Sequence, residues 1–244
     1  MPYLVLLGVF LLIPVAVLAV VVARRGFVFR LVAALVPVAM LCAFPWDRWM
    51  IGHGVFGYPP AGISGWIAGV PVEDLLLFGL QCVLVAQWSV LMAGRDWLVA
   101  RPSRLAVGSL RVGVVVPVVV AGLLTGLPHL RYVTGIVLWF GPLLAVQTIL
   151  GADVLLARWR LWLAAVAPVT AWLWLVEIVA LRQGIWWVAP ADSLSPRPAG
   201  VPVEDLLIFL VGTLFVAQTV IYADDPVMRA RARGWLRPRS AKEA

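Results

Sequence analysis

Two acidic segments of almost identical sequence are the strongest candidates for chemistry in this chain. Residues 69–78 read GVPVEDLLLF and residues 200–209 read GVPVEDLLIF, so nine of ten residues agree. Each segment places a Glu–Asp pair at the start of an apolar run. Adjacent residues of a helix point about 100° apart, so the two acids of a pair are suited to different roles. The four acids are Glu73, Asp74, Glu204 and Asp205.

Carboxyl groups in apolar surroundings are suited to proton chemistry. A buried carboxyl group can remain protonated near neutral pH and give that proton to an apolar substrate. A neighbouring carboxylate can then stabilise positive charge. A simpler interpretation is helix capping, with Pro71 and Pro202 at the first helical position and each acid worth about 0.3–1 kcal/mol. Because capping does not require the same ten residues twice, we favour the chemical interpretation.

The similarity between the two parts of the chain extends beyond the acidic segments. Pro37 and Pro168 share the offset of 131 residues that relates the segments, and the residues before each segment align Asp47 with Glu177. We expect Asp47 and Glu177 to lie in the loops that lead to the segments. Aromatic residues crowd the same regions, and their π faces can stabilise a carbocation. An acid, an anion and aromatic walls are typical of a proton-initiated cyclase.

The composition indicates that this chain is embedded in a lipid bilayer. Apolar residues make up 63% and charged residues 13% of the sequence, which is typical of multi-span membrane proteins. Apolar runs of about 20 residues cross the bilayer as helices. The second run is short unless it continues through Trp46 and Trp49. The first lacks a preceding basic region, so we interpret it as a true span and not as a signal peptide. The seven candidate spans are residues 3–22, 31–44, 72–93, 105–127, 132–150, 161–181 and 203–223.

The repeat predicts the arrangement of these spans. We expect an all-α membrane protein with two parallel three-helix repeats, residues 1–93 and 131–223, joined by a connector helix within residues 94–130. A basic tail follows at residues 224–244. Since three spans and one connector return the chain to the starting side, both acidic segments open at the same face. One site can therefore gather carboxyl groups from both repeats.

The charge distribution orients the chain and argues against nucleic acid as a partner. The net charge is +7, but the basic residues lie between spans. With the N-terminus outside, residues 23–30, 94–104, 151–160 and the tail are cytoplasmic and hold fourteen Lys and Arg, against four in the external segments. This asymmetry predicts a multi-pass protein of the cell membrane with an external N-terminus and a cytoplasmic C-terminus.

The remaining reactive residue types form no recognisable site in the sequence. Cys42 and Cys82 fall inside apolar runs, which is typical of small core residues. His53 and His129 stand alone, so we predict no metal site. Neither common glycine-rich nucleotide motif is present.

The repeated PVED, the FPWD ending at Asp47 and the three-span repeat resemble the non-flavin lycopene cyclases of bacteria and archaea. The similarity covers residues 1 to about 223 and corresponds to the form in which two small subunits are fused, as in the cyclase part of bifunctional fungal proteins. Where the family commonly has a second Glu, this chain has Asp74 and Asp205. Where the family has Asp, this chain has Glu177.

The resemblance implies acid-catalysed, non-redox cyclisation of lycopene to β rings, without a redox cofactor. It implies a lipophilic carotenoid substrate, with membrane lipids and other carotenoid-pathway enzymes as further partners. It also implies Glu73 and Glu204 as proton donor and as acceptor or cation stabiliser, in either order, with the other acids in support. The candidate catalytic residues are Glu73, Glu204, Asp74, Asp205, Asp47 and Glu177. The candidate substrate-binding residues are Trp46, Phe56, Phe78, Trp186 and Phe209.

Other functions fit the sequence less well. A retinal protein needs a lysine within a span, whereas the only lysine is Lys242 in the tail. A prenyltransferase needs aspartate-rich motifs, and the pair Asp224–Asp225 is a poor candidate. A proton-coupled transporter is the main alternative, since repeats and intramembrane carboxylates are common in transporters. A cyclase acting on a C50 carotenoid also stays open, as do the ring isomer and the number of ends cyclised.

Overall fold

Seven membrane-length helices and one shorter helix form the fold. The computed structural model describes residues 1–23, 26–194 and 196–236, without the side chains of residues 26–29 and 236. Arg24, Arg25 and the end of the basic tail, residues 237–244, lie outside the described residues. The helices are α1 (Tyr3–Val22, with a π-helical turn at Gly8–Leu12), α2 (Gly26–Gly52), α3 (Val72–Ala93), α4 (Arg104–Leu123), α5 (Arg131–Ala157), α6 (Trp159–Arg182), α7 (Val203–Asp224) and α8 (Pro226–Leu236). The prediction of an all-α, seven-span protein is confirmed.

Helix α2 is longer than its apolar run, and this corrects one expectation. The predicted span ended at residue 44, but the helix continues through Pro45 to Gly52. Asp47 therefore lies in a helix, and so does Glu177, near the end of α6. The expectation that both acids lie in loops was wrong. The hydropathy pattern places the end of the second span too early because Asp47 interrupts the apolar run. The helix continues past Asp47, whose side chain is buried inside the protein and only 1% exposed.

Helices α3 and α7 form the centre of the bundle. They pack against each other, α1 and α2 pack on α3, and α5 and α6 pack on α7. Helix α6 also contacts α3. In α3, 56% of the membrane-length window is buried in protein, whereas the figure for α4 is 6%. Helix α4 packs on α5 at the edge of the bundle, as expected for a connector that belongs to neither repeat.

Both acidic segments enter their helices in the same way. The preceding residues have left-handed backbone angles, with φ of 48° and 88° at Ala68 and Gly69 and 53° and 88° at Ala199 and Gly200. The glycine is the residue that tolerates this conformation best. Pro71 and Pro202 then occupy the N-cap and not the first helical position that the sequence suggested. This shared backbone conformation sets the directions in which the side chains of the first turn of α3 and α7 point.

Two loops cover the end of the bundle at which α3 and α7 begin. Strand β1 (Phe56–Gly57), from the loop after α2, pairs with β4 (Trp187–Val188), from the loop after α6. Strands β2 (Trp66–Ile67) and β3 (Val70–Pro71) form a short hairpin just before α3. The β1–β4 pair joins equivalent loops of the two repeats, so one lid closes over both helix starts.

Candidate active site

A chamber lies beneath the lid, at the first turns of α3 and α7. It is lined by four carboxyl side chains, and each of them is at most 4% exposed. Two come from the first turns of α3 and α7, and two come from the ends of α2 and α6. They are Asp74, Asp205, Asp47 and Glu177. Carboxyl groups that are far apart in sequence therefore meet in one chamber.

Aromatic rings line the walls of the same chamber. The indole of Trp46 lies near Phe56, Tyr132 and Phe140, with centroid distances of 5.7, 6.1 and 5.4 Å. On the other side, Trp186 lies 5.2 Å from Tyr3. All five residues that were predicted to bind substrate line the chamber: Trp46, Phe56, Phe78, Trp186 and Phe209. Ring faces around a set of carboxyl groups suit a cationic intermediate with an apolar body.

The first-half centre consists of Asp47, Asp74, Tyr3 and Tyr58. Tyr3 Oη donates to Asp74 Oδ1 at 2.8 Å, and Tyr58 Oη donates to Asp74 Oδ2. Both oxygens of Asp74 therefore accept a hydrogen bond from a phenol. Asp47 Oδ2 is buried and has no hydrogen-bond partner among the described residues. Two donors on one carboxylate stabilise its ionised form.

The second-half centre consists of Glu177, Asp205, Tyr132 and Trp186. Tyr132 Oη donates to Asp205 Oδ1 at 2.5 Å, and Trp186 Nε1 donates to Glu177 Oε1 at 2.8 Å. The carboxyl groups of Glu177 and Asp205 are neighbours in the chamber. Asp205 Oδ2 is buried and has no hydrogen-bond partner among the described residues. Two neighbouring carboxyl groups in apolar surroundings favour a proton on one of them.

Glu73 and Glu204 face away from the chamber, towards the loops. Glu73 Oε1 accepts the backbone N–H of Ser64 at 2.6 Å, and Glu204 Oε1 accepts that of Leu194 at 2.5 Å. Neither glutamate lines the chamber, and in each the Oε2 atom is buried without a partner among the described residues. The structure thus separates the two acids of each pair, with the aspartate towards the chamber and the glutamate towards the lid.

Three tyrosines at the site were missed by the sequence analysis. Tyr3 and Tyr132 occupy the same place at the start of the first helix of each repeat, but their offset is 129 residues and not 131. A search for tyrosines at the head of equivalent spans would have found them. Tyr58 lies in the lid loop, where burial and the neighbouring Asp74 hold the pKa of its hydroxyl well above the usual value of 10.0. Its phenol therefore stays a hydrogen-bond donor at physiological pH.

An apolar groove continues from the chamber towards the outer surface of the bundle. Phe78, Gln81 and Ile208 line both spaces. The groove runs between α2, α3, α5 and α7, and Leu143 at its edge is 43% exposed. Cys42 and Cys82 are free thiols that line it. A hydrocarbon chain can thus reach the carboxyl groups from the bilayer without crossing the lid.

The chamber as it stands is small. Its volume is about 50 Å³ and that of the groove about 70 Å³, whereas an engineered cavity that accepts benzene measures roughly 150 Å³. An occupant the size of a six-membered ring therefore requires the chamber walls to move apart. Among the described residues, no group of three or more His, Cys, Asp or Glu side chains is arranged to hold a metal ion.

The chain is similar to carotenoid cyclases over most of its length. It is 32% identical to lycopene beta-cyclase of Halobacterium salinarum over 224 residues, which cover 90% of this chain and 94% of that protein. It is 26% identical to bifunctional lycopene cyclase/phytoene synthase of Aspergillus oryzae over 209 residues and 31% identical to that of Neurospora crassa over 199. The match spans about a third of these fungal proteins, 35% and 32% of their length. No family model and no solved structure matches the chain. The extent of the match to the Halobacterium protein shows that this chain belongs to the lycopene beta-cyclase family.

Proposed function

We propose that this protein is a lycopene beta-cyclase that converts the ψ end groups of lycopene to β rings, giving γ-carotene and β-carotene. The observation that carries the proposal is the chamber itself, in which four buried carboxyl groups from two repeats face aromatic walls. The similarity to lycopene cyclases supports the same substrate and reaction.

The second-half centre is the proton donor in this proposal. Glu177 and Asp205 are buried neighbours in the chamber, and two adjacent carboxyl groups in apolar surroundings do not both ionise readily, so in this scheme one proton stays on the pair. After that proton leaves, Tyr132 and Trp186 remain as donors to the resulting carboxylates. The donor is the pair, and neither residue titrates independently of the other.

The first-half centre holds the negative charge that the reaction needs. Asp74 accepts two phenolic hydrogen bonds, so its carboxylate is preorganised before substrate arrives. Fixed charge directed at the place where a cation develops lowers the barrier more than mobile water does. The ring faces of Trp46 and Trp186 add cation–π attraction on either side.

Each cyclisation takes up one proton and releases one proton. The acid pair protonates C2 of the ψ end, and the cation forms at C1. The C5–C6 double bond attacks C1, which closes the ring and moves the cation to C5. Loss of the C6 proton to a chamber carboxylate then forms the ring double bond. No electrons are exchanged with a cofactor in these steps.

The groove is suited to the polyene chain of the substrate. Its walls are apolar apart from Gln81, and it leads from the lipid-facing surface to the acid pair. The end group enters the chamber only as the helices or the lid part, because the resting volume is too small. The β1–β4 pair can then exclude water, which would otherwise capture the cation.

Glu73 and Glu204 have a supporting role in this scheme. Each binds a backbone N–H of the lid loop nine or ten residues before it, which ties the lid to the first turn of α3 or α7. Their direct participation in proton transfer, as implied by the family resemblance, stays a prediction. The division into repeats at residues 1–93 and 131–223 likewise stays a prediction.

We also propose that the protein lies in the cell membrane with the lid outside and the C-terminus in the cytoplasm. The positive-inside rule supports this orientation, because Arg101, Arg158 and Arg231 are all at the end of the bundle opposite the lid.

Cyclisation in D₂O tests the function and the origin of the proton together. Membranes that contain the protein are incubated with lycopene, and the pigments are separated and weighed by mass spectrometry. We expect one deuterium per new ring, located at C2, and therefore products heavier by one mass unit for γ-carotene and two for β-carotene.

The matched variants are Glu177→Gln in the chamber and Asp96→Asn on an exposed loop. Only Glu177→Gln should stop ring formation. Unchanged lycopene with the wild-type protein correctly inserted would remove lycopene as the substrate. Rings formed without deuterium would contradict donation by a carboxyl group that exchanges with water.

A further inference from the structure

A cleft with an excess of positive charge lies at the end of the bundle opposite the acidic chamber. It is formed by the first half of α4, the last turns of α5 and helix α8, and its volume is about 650 Å³. This size is within the range of about 300–1,000 Å³ that is usual for ligand pockets. The charged residues that line it are Arg104, Arg111, Asp153 and Arg231.

The acidic residue of the cleft is already neutralised. Arg231 binds Asp153 in a bidentate manner, with N–O distances of 2.9 and 2.5 Å. Arg231 also donates to the carbonyl oxygen of Leu150 at 3.1 Å. Both oxygens of Asp153 are therefore engaged by the same guanidinium group, and this pair fixes α8 against α5.

The other two arginines lack such a partner. Arg104 and Arg111 line the cleft and are exposed, and neither has a carboxylate or hydrogen-bond partner among the described residues. They are seven residues apart on α4, which places them on one face of the helix with a rise of about 10 Å. Three arginines and one aspartate leave the cleft with a net charge of +2.

The surroundings indicate that the missing anion is amphiphilic. Arg111 lies within a membrane-length helix, where a charged side chain is costly without a partner. The floor between the arginines is apolar and includes Val107, Ile149 and Leu150. Trp235 lines the cleft while 60% exposed, as is common for indole rings at the membrane interface. A free inorganic anion would leave this apolar floor uncovered.

We propose that this cleft binds an anionic glycerophospholipid, with the phosphate between Arg104 and Arg111 and an acyl chain along the apolar floor. The positive end of the α4 helix dipole, which begins at Arg104, adds to the attraction. A lipid bound in this way would join α4, the least buried of the seven long helices, to α5 and α8. The inference does not depend on cyclase activity.

Native mass spectrometry of the protein released from mixed nanodiscs tests the site. The discs contain equal amounts of phosphatidylglycerol and phosphatidylcholine, and the readout is the ratio of the two lipids that stay bound. Each arginine near an anionic lipid contributes enough to change the ratio several-fold. We expect the wild type to retain phosphatidylglycerol at least about tenfold over phosphatidylcholine, and the double variant Arg104→Gln, Arg111→Gln to lose that preference.

The control is Arg48→Gln, Arg182→Gln, which removes two exposed arginines at the lid end and keeps the net charge equal to that of the test variant. This control should retain the wild-type ratio. Equal loss in both double variants would show a general charge effect and overturn the site. Displacement of the lipid by millimolar inorganic phosphate would show a free-anion site instead, and an unchanged ratio in the Arg104, Arg111 variant would also refute the proposal.

Discussion

The two halves of the chamber share one scaffold but differ in what surrounds the central aspartate. In the first half, Asp74 is bound by two phenols, from Tyr3 and Tyr58. In the second half, Asp205 is bound by one phenol, from Tyr132, and lies beside the carboxyl group of Glu177. Two donors favour a carboxylate, whereas a neighbouring carboxyl group favours a proton on one of the two. In the proposed mechanism the first half therefore acts as the anion and the second half as the acid.

Two differences in sequence produce this divergence. Tyr58 stands two residues after Phe56, while the residue two after Trp186 is Val188, so the second half has no phenol at that place. Asp47 is one methylene shorter than its counterpart Glu177, and its Oδ2 atom has no hydrogen-bond partner among the described residues. In the proposed mechanism, side-chain length and one hydroxyl group separate the acid from the anion.

The largest expected fall in cyclisation rate comes from substituting either member of the acid pair. Glu177→Gln and Asp205→Asn should each lower the cyclisation rate by about 10²–10⁴, the usual contribution of general acid catalysis. Lycopene turnover in membranes at matched protein levels measures the effect. Activity within tenfold of the wild type in both variants would mean that the proton comes from the other half.

The second-largest expected fall in rate comes from removing the charge of Asp74, the proposed anion of the first half. Asp74→Asn keeps the shape but removes the charge that faces the cation, and we expect a rate lower by about 10²–10³. Substrate binding should change little, since the polyene lies in the groove. If Asp74→Asn kept the wild-type rate, the assignment of the anion to the first half and the acid to the second half would be wrong.

A lengthened side chain can make the two halves alike. In a Glu177→Gln background, Asp47→Glu adds the methylene that the first half lacks and should let residue 47 reach Asp74. We expect a gain of about tenfold over Glu177→Gln alone, from a new acid pair with a proton of its own. The same Asp47→Glu change in the wild-type background serves as the control and should not raise activity.

A smaller effect is expected from the second phenol. Tyr58→Phe removes one hydrogen bond to a charged group and should lower the rate by about tenfold. Since burial and Asp74 raise the pKa of Tyr58, its hydroxyl keeps its proton below pH 10. Its contribution is therefore complete at neutral pH and is lost only as the pH rises through the raised value. The ratio of wild-type to variant rates should stay constant from about pH 6 to 9.

The smallest effect is expected from the glutamates that hold the lid. In Glu73→Gln and Glu204→Gln an amide oxygen can still accept the backbone N–H, so each rate should fall only a few-fold. Glu73→Ala and Glu204→Ala remove the acceptor and should cost more through lid opening. Complete loss in the Gln variants would instead assign proton transfer to the glutamates.

Much of the architecture follows from the sequence, because hydropathy and the repeat act over long stretches. Seven spans were predicted and are confirmed, and all five aromatic residues chosen from the sequence line the chamber. The two parallel repeats and the connector stay predictions. The end of α2 was mispredicted, since the inward-facing Asp47 interrupts an apolar run without ending the helix. The three tyrosines escaped detection because no local pattern marks a phenol that bonds to a distant acid. Tyr3 and Tyr132 bind acids 71 and 73 residues away, and Tyr58 binds one 16 residues away.

By itself the sequence determined that the protein lies in a bilayer, how many spans it has and that it contains two matching acidic segments. These features depend on composition and repetition alone. Tertiary structure alone decided which acid of each pair faces the chamber. The rotation of the first turns of α3 and α7 turns Asp74 and Asp205 inwards and Glu73 and Glu204 towards the lid. It also decided that the four acids of the chamber meet, because their meeting depends on how the helices pack: Asp47, Asp74, Glu177 and Asp205.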